Sequence, residues 1–420
     1  MHCLIVSCVF PPEPVVSAQT SSQIAEGLVE LGHKVTVLAP LPNRPAGQLY
    51  PGFKRRLYTS EKTDKGIRVI RCFSLFSHSS TMISRMQENV SFGLTSSGAL
   101  LFLTPKPDVI YANTWPLIAL GLIFLVAKVR RIPIVISVQD VYPESLLVQN
   151  RFNPSHWLIR FMRWWDALIA RHSSALIVIS KQLAELYKRT RHVSNERLHV
   201  VYNWGTASTT ASPYEIEKFR AAQGVLALQR LGVYGGNVAL AAGVDTLVNA
   251  FRYLDDTANF SLLIAGEGAQ LEECKAVAAD LSTNRILFHH PYQLTENAMV
   301  LGAADILLLP TRGQQSLTAV PSKLIAYLLS ARPVIALAVA ESDLAELLKA
   351  SGAGWVVEPD RPDLLAAMIK EVLSKEHREL QSKGAAGREF ALQNLTEKAC
   401  LPRVLSIIEQ VATKRSISAL

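Results

Sequence analysis

Two adjacent glycines closing an apolar run are the residues best suited to chemistry. Val233 to Phe251 reads V-Y-G-G-N-V-A-L-A-A-G-V-D-T-L-V-N-A-F: an apolar strand ended by Gly235-Gly236-Asn237, a short loop, and from Gly243 an apolar-periodic helix. Lacking a Cβ, such a turn lets backbone come close to a ligand. A helix N-terminus after it offers N–H groups and partial positive charge, which suit a phosphate. Most turns of this kind only end a strand, so the motif needs its context. The chain also opens with a strand, Cys3 to Phe10, then a Pro-rich loop and a helix, Ser21 to Leu31. A strand–loop–helix start in each half suggests two nucleotide-fold domains.

The elements that must position these residues alternate regularly. In the first half, strands are expected at Lys34–Ala39, Ile67–Cys72, Asp108–Ala112, Pro133–Gln139, Ala175–Ser180 and Val200–Trp204. Helices fit at Leu117–Val129, His156–Arg171 and Lys181–Arg189. Continuous apolar runs of this length suit parallel strands covered on both faces. Residues 205–224, rich in Thr, Ser and Ala, read as a linker. Beyond it, strands at Ala227–Tyr234, Phe260–Ala265, Ile286–His289, Ile306–Leu309 and Pro333–Leu337 alternate with helices at Leu271–Ala279, Glu296–Ala303, Ser322–Leu329 and Ser342–Ala350. Two doubly wound sheets follow, and ligands of such sheets bind beyond the C-terminal strand ends.

Composition agrees. The chain of 420 residues is 49% hydrophobic and 19% charged, globular and long enough for two domains. Residues 1–205 carry 23 Lys and Arg against 12 Asp and Glu, while the remainder is mildly acidic. A basic half suits an anionic membrane or a phosphate-bearing substrate; nucleic acid is disfavoured, because no binding signature accompanies the basic clusters. The apolar windows Phe92–Pro105 and Pro116–Ala127 are too short to span a bilayer, the start does not read as a signal peptide, and five scattered cysteines show no metal spacing. A cytoplasmic protein is the expectation.

Several motifs in order carry a family likeness: F-P-P-E-P at Phe10–Pro14, G-H-K-V-T-V-L at Gly32–Leu38, L-P-N-R-P-A-G at Leu41–Gly47, V-Q-D-V-Y-P-E-S at Val138–Ser145 and V-Y-N-W at Val201–Trp204. Y-G-G-N at Tyr234–Asn237, G-V-D-T-L at Gly243–Leu247, I-A-G-E-G at Ile264–Gly268 and A-V-P-S-K-L at Ala319–Leu324 complete them. Over almost its whole length the chain resembles the retaining family-4 glycosyltransferases, closest to the branch that builds bacterial surface polysaccharides such as colanic acid and O-antigen.

The resemblance implies the α/β GT-B fold, two facing doubly wound Rossmann-like domains with a cleft between them. Residues 1–205 would bind the acceptor and 225–394 the nucleotide sugar, with a C-terminal helix near 395–420 packing back on the first domain. It implies retaining transfer from a nucleotide-diphosphate sugar, UDP in preference to GDP, to a lipid-linked or saccharide acceptor. No metal or other cofactor is implied, since helix N-termini and basic side chains would stabilise the leaving diphosphate. The implied donor-site residues are Gly235, Gly236, Asn237, Gly266, Glu267, Gly268, Pro291, Tyr292, Val320, Pro321, Ser322 and Lys323. Pro321 and Ser322 also suit a helix start, and Lys323 just inside it would hold phosphate. Asp140 and Glu144 are the implied catalytic or substrate-orienting acids, with Asp140 first, and Ser17 and Asn113 the acceptor contacts. Asp140 also reads as an ordinary helix N-cap, and His289 and His290 as structural.

The chain departs from the wider family in places. The usual glutamate pair falls on Thr318 and Ala326, where the polysaccharide branch carries P-S-K, and the usual glycine before the Pro-Val-Ile strand is Ala331. The diphosphate clamp is replaced near Asn237 and Ala242, and Val15-Val16 stands where many relatives keep glycine. Besides a transferase, two readings stay open at this point: an inactive nucleotide-sugar binder or partner subunit, and a nucleotide-sugar epimerase, which the acid-poor motifs disfavour. Residues Ser155–Arg171 set Trp157, Phe161, Trp164 and Trp165 beside Arg160, Arg163 and Arg171. That composition suits an interfacial anchor at the inner face of an anionic membrane, where a polyprenyl-diphosphate acceptor would lie, or a helix packed on the first sheet.

Overall fold

Continuous aliphatic runs become parallel strands in both halves, because such strands are covered on both faces and retain almost no polar positions. The computed structural model describes the chain except residues 45, 77–81, 114–116, 142, 145–155, 206–210, 227, 256–258, 282, 314–321 and 419–420, and the side chains of 82, 294, 322 and 415–418. The described residues divide into two compact units, Met1–Tyr202 with Leu401–Leu420, and Asn203–Cys400.

The first unit contains β1 (His2–Ser7), α1 (Val16–Glu30), β2 (Lys34–Pro40), β3 (Tyr58–Lys62), β4 (Arg68–Cys72) and α2 (Met82–Gly98), which runs into a π-helical turn at Ala99–Leu103. Then come β5 (Val109–Asn113), α3 (Leu117–Val129), β6 (Ile134–Val138), α4 (Trp157–His172), β7 (Ala175–Val178), α5 (Lys181–Arg191) and β8 (Leu198–Val200). The sheet order is β3-β4-β2-β1-β5-β6-β7-β8, antiparallel only between β3 and β4. The chain reverses its direction of winding between β1 and β5. The loops after those two strands therefore flank the crevice where a doubly wound sheet takes its ligand.

The second unit contains α6 (Pro213–Ala222), β9 (Arg230–Gly235), α7 (Val244–Asn249), β10 (Phe260–Ala265), α8 (Leu271–Asp280), β11 (Ile286–His289), α9 (Asn297–Gly302) and β12 (Ile306–Leu309). It continues with α10 (Ser322–Leu329), β13 (Val334–Leu337), α11 (Asp343–Ser351), β14 (Gly354–Val357), α12 (Pro362–Leu373) and α13 (His377–Asn394). Its parallel sheet runs β11-β10-β9-β12-β13-β14, with the switch between β9 and β12. The last helix, α14 (Glu397–Ser418), belongs to the first unit from Leu401 onward. There Leu401 and Leu405 lie against Gly27 of α1, and His33 meets Glu409 at 2.8 Å.

Several boundaries differ from the sequence reading. The expected linker contains α6, started by a capping box in which Ser212 and Glu215 bond each other's backbone, with Pro213 at the first turn. Helix α1 begins at Val16 rather than Ser21: its buried stripe of Ala18, Ser21, Ile24, Ala25 and Leu28 starts on small residues that do not register as apolar. The strand expected from Ala227 starts at Arg230, and Leu226 and Leu228 stay exposed. The strand expected at Val200–Trp204 is β8, ending at Val200. Strand β3 was not expected at all, because an antiparallel edge strand of sequence Y-T-S-E-K has no continuous apolar run.

Candidate active site

The second unit's switch crevice lies beyond the ends of β9 and β12, and β9 ends in the glycine pair. At Gly236 φ is +145°, and a Cβ there would fall 2.1 Å from Lys323 Cε. Gly266 after β10 has φ +154°, and its Cβ would fall 1.9 Å from the Gly236 carbonyl oxygen. These glycines first serve the packing of loop on loop. The Gly236 N–H donates to Ala265 O at 2.8 Å, Gly266 N–H to His289 O at 3.1 Å, and Val238 N–H to Glu267 O at 2.9 Å. Gly268 lies against Asn237 for the same reason. Gly235 N–H donates to the Tyr327 hydroxyl at 2.9 Å, which anchors the strand end to α10.

Lys323, in the first turn of α10, lies across this pair of loops. Its ammonium donates to the Tyr234 hydroxyl at 2.8 Å and sits 4.9 Å from that ring's centroid. The Tyr234 hydroxyl in turn donates to Asn237 O at 2.7 Å. Among the described residues no carboxylate forms an ion pair with Lys323, and burial lowers its pKa below the ordinary lysine value. A half-buried ammonium held by a neutral hydroxyl and a ring face is suited to receive an anion. Val320 and Pro321 lie outside the described residues, as does the side chain of Ser322, the first residue of α10.

The second cation near the crevice is already engaged. Arg312, after β12, donates to Asp245 at 2.6 Å, Asp360 at 3.1 Å and Leu240 O at 3.2 Å. It ties the Gly243–Leu247 motif to the end of β12, a contact the sequence reading missed. The helix expected to take phosphate after Gly243 is α7, only six residues long, with Asp245 in its first turn. Lys323 lies at the glycine pair instead. Asp245 also places negative charge where that helix would have met phosphate.

Around β11, His289 packs edge-on against Phe219 at 5.3 Å and meets Glu296 at 3.5 Å, a structural placement. His290 lies 3.9 Å from exposed Glu267, and the following Pro291 is joined to it by a cis peptide. Tyr292 bonds Asn297, and its hydroxyl lies 3.2 Å from where a Gly235 Cβ would be. The described members of the expected donor set thus gather at the ends of β9, β10 and β11.

In the first unit, Asn113 closes β5 and is buried. Its amide donates to Ser21 Oγ at 2.9 Å, and Ser21 and Ser7 hydroxyls share a 2.9 Å bond, so Asn113 joins β5, α1 and β1. Ser17 is exposed in the first turn of α1. Glu13, which the sequence reading left without a role, is only 4% exposed. Its carboxylate accepts from Asn43 and Arg44 N–H, each at 2.9 Å, and from Phe10 N–H at 3.2 Å. Three backbone donors satisfy that carboxylate and clamp the F-P-P-E-P loop to the L-P-N-R loop. An acid among prolines was the available signal.

Asp140 stands exposed just past β6, accepting from Val141 N–H at 2.8 Å. A cavity of about 30 Å³ beside it, lined in part by Ser137, Asp166 and Tyr187, has room for water but not for a sugar. Glu144 has a different environment from the one expected of a reacting acid. Both its oxygens accept from Arg191, at 2.8 and 2.6 Å, and Arg163 adds a contact at 3.2 Å. Those hydrogen bonds and charges hold its carboxyl below the usual range despite burial. Arg191, 1% exposed, also meets Asp166 at 2.9 Å. Glu144 is thereby a structural partner that ties the segment after Asp140 to α5.

Comparison with known proteins accords with this arrangement. The model described as Glycosyl transferase 4-like domain matches residues 17–204, and that described as Glycosyl transferases group 1 matches residues 229–375. A relative from Pseudomonas aeruginosa, the probable glycosyltransferase WbjE, is 23% identical over 350 residues, covering 81% of this chain and 84% of its own. The structure of HepE from Anabaena in complex with UDP-glucose aligns with TM-score 0.65 at 18% identity, over 100% of both chains. That of WaaG, a glycosyltransferase involved in lipopolysaccharide biosynthesis, aligns with TM-score 0.67 at 16% identity, over 97% of this chain and 99% of its own.

Proposed function

For a chain that belongs to the family-4 glycosyltransferases of the GT-B fold, we propose a retaining transfer of sugar from a UDP-linked donor, in preference to a GDP-linked one, to a lipid-linked or saccharide acceptor. The product belongs to a bacterial surface polysaccharide. The observation that carries the donor site is Lys323, an ammonium held by Tyr234 against Gly236, with no carboxylate as ion-pair partner among the described residues. When the bond between the sugar's anomeric carbon and the diphosphate oxygen breaks, negative charge grows on the leaving group, and Lys323 stabilises it. The new bond joins that carbon to the oxygen of an acceptor hydroxyl, whose proton passes to the departing diphosphate. Asp140, exposed beyond β6, is the group assigned to orient the donor sugar or that hydroxyl; Ser17 contacts the acceptor, and Asn113 holds the loop beside it.

The UDP preference draws on HepE, whose structure holds UDP-glucose, and the polysaccharide role on WaaG. The test is thermal unfolding of the purified chain with UDP, GDP and their sugar conjugates, followed by product analysis. A ligand that binds only the folded state raises the transition, by about 2.7 kcal/mol of stability at a hundred times its Kd. UDP is expected to raise it, and GDP to do so less. A response to neither, with no transfer from any donor, would leave the chain without this function.

A further inference from the structure

Three neighbouring helices of the first unit turn apolar stripes outward. On α2, Ile83, Met86, Val90 and Leu94 are exposed, at helical spacings of three and four. On α3 the exposed residues are Ile118, Leu125 and Val129, and on α4 Trp157, Phe161 and Trp164. Helix α2 packs along α3, and α3 along α4. Their opposite faces, through Phe92, Ile123 and Ile169, fill the core against the sheet. The three stripes therefore lie on the outside of one layer. The π-helical turn extends it with Phe102, 82% exposed, and a bond from Arg130 to the Leu100 carbonyl brings that turn to Val129, 80% exposed.

Isolated surface apolar residues are ordinary, but a contiguous apolar layer marks an interaction surface. Its charge is one-sided. Residues 82–172, from α2 through α4, carry nine Lys and Arg against five Asp and Glu. Of the acids, Glu88 is paired with Arg44, and Glu144 and Asp166 with Arg191. Arg85, Lys106, Lys128, Arg131 and Arg160 are exposed on these helices or at their ends.

We infer that this three-helix layer docks on the surface of an anionic lipid bilayer. The apolar stripes enter the headgroup boundary, and the lysines and arginines meet lipid phosphates. A second copy of the chain is a poorer occupant, because a two-fold interface would set this basic surface against itself. The attachment is peripheral: among the described residues no helix is long and apolar enough to cross a membrane. The expected anchor helix is thus one of three, and Arg163 serves it less than its neighbours because it is paired with Glu144. The inference extends the lipid-linked acceptor of the proposed function without depending on it.

The test is flotation of the full chain with vesicles of phosphatidylcholine alone, or with about one third phosphatidylglycerol, at ionic strengths where the Debye length is about 30 Å and about 3 Å. Recovery on anionic vesicles at low salt is expected to exceed recovery on neutral ones at least tenfold. Phe102→Ser with Phe161→Ser should lower it at least tenfold, with unchanged circular dichroism and the same thermal shift with UDP as the parent. Lys106→Glu with Arg160→Glu should abolish the preference for anionic lipid. Equal recovery on both vesicle types, recovery on neither, or variants that float like the parent would overturn the inference. So would a parental dimer in solution that the Phe102→Ser, Phe161→Ser chain no longer forms. The UDP shift reads the donor site separately, so its loss in the parent would count against the transferase reading alone.

Discussion

Lys323 and Tyr234, 89 positions apart in the chain, meet with the ammonium 2.8 Å from the phenol oxygen. The phenol gives its own proton to Asn237 O, so it can only accept from Lys323. The strand-end loop thereby decides where the charge points. Gly236 keeps the path open, since any Cβ there would occupy the lysine's position.

Lys323→Ala is expected to raise the donor KM and lower kcat, with kcat/KM down about 100-fold, because the contact strengthens as the phosphate leaves. Tyr234→Phe should cost less, about tenfold. It should also move the alkaline limb of the pH profile to lower pH, since the half-buried ammonium loses its acceptor. Steady-state kinetics over pH measures both. Parental kinetics in a folded Lys323→Ala protein would remove α10 from the donor site.

The proposed function places the charge of the leaving diphosphate on Lys323 rather than on a divalent cation, and the sequence contains no Asp-x-Asp motif. Transfer is expected to persist in EDTA. Full loss in chelator, restored by Mg²⁺ or Mn²⁺, would contradict the proposed chemistry.

Ala331, where the family resemblance implies a glycine, adopts φ +58° after α10. A side chain in that left-handed region costs about 1 kcal/mol or more. Ala331→Gly should therefore raise the stability of the second unit by about 1 kcal/mol, read as a higher urea midpoint. Gly384→Ala should lower it, because the added Cβ would fall 2.2 Å from the Ala331 carbonyl oxygen. No gain from Ala331→Gly would mean that the left-handed turn is unstrained.

Asp166 shares Arg191 with Glu144, and burial pushes its carboxyl up to about 6. Unfolded, it would titrate near 3.9. Between those values the folded chain binds a proton that the unfolded chain does not, so this group's share of stability rises as pH falls from about 6 to about 4. Asp166→Asn should remove that rise. Urea unfolding at several pH values in this range would show it, and an unchanged slope would refute it. Arg191→Met, by contrast, leaves buried Asp166 without its cation and Glu144 with Arg163 alone, and should cost about 3–5 kcal/mol at neutral pH.

Much of the architecture was legible from the order of residues. Phe260–Ala265, Ile286–His289 and Ile306–Leu309 are strands with the bounds read from sequence. Burial on both faces leaves a parallel strand little choice but a continuous apolar run, and that constraint is local. The glycine turn ending β9 was visible for the same reason, since a close backbone approach excludes side chains wherever it occurs. Partners were not legible. Glu144 read as a catalytic or substrate-orienting acid, whereas Arg191, 47 residues further on, spans both its oxygens. Lys323 read as one of a phosphate-binding set, but its place at Gly236 depends on β12 returning beside β9. Glu13 had no assigned role until the Asn43 loop closed over it. Each of these pairings joins residues tens of positions apart, which only the packing of the elements brings within bonding distance. Spacing along the chain carries the period of an element, whereas the distance between two charges is decided by how the elements pack.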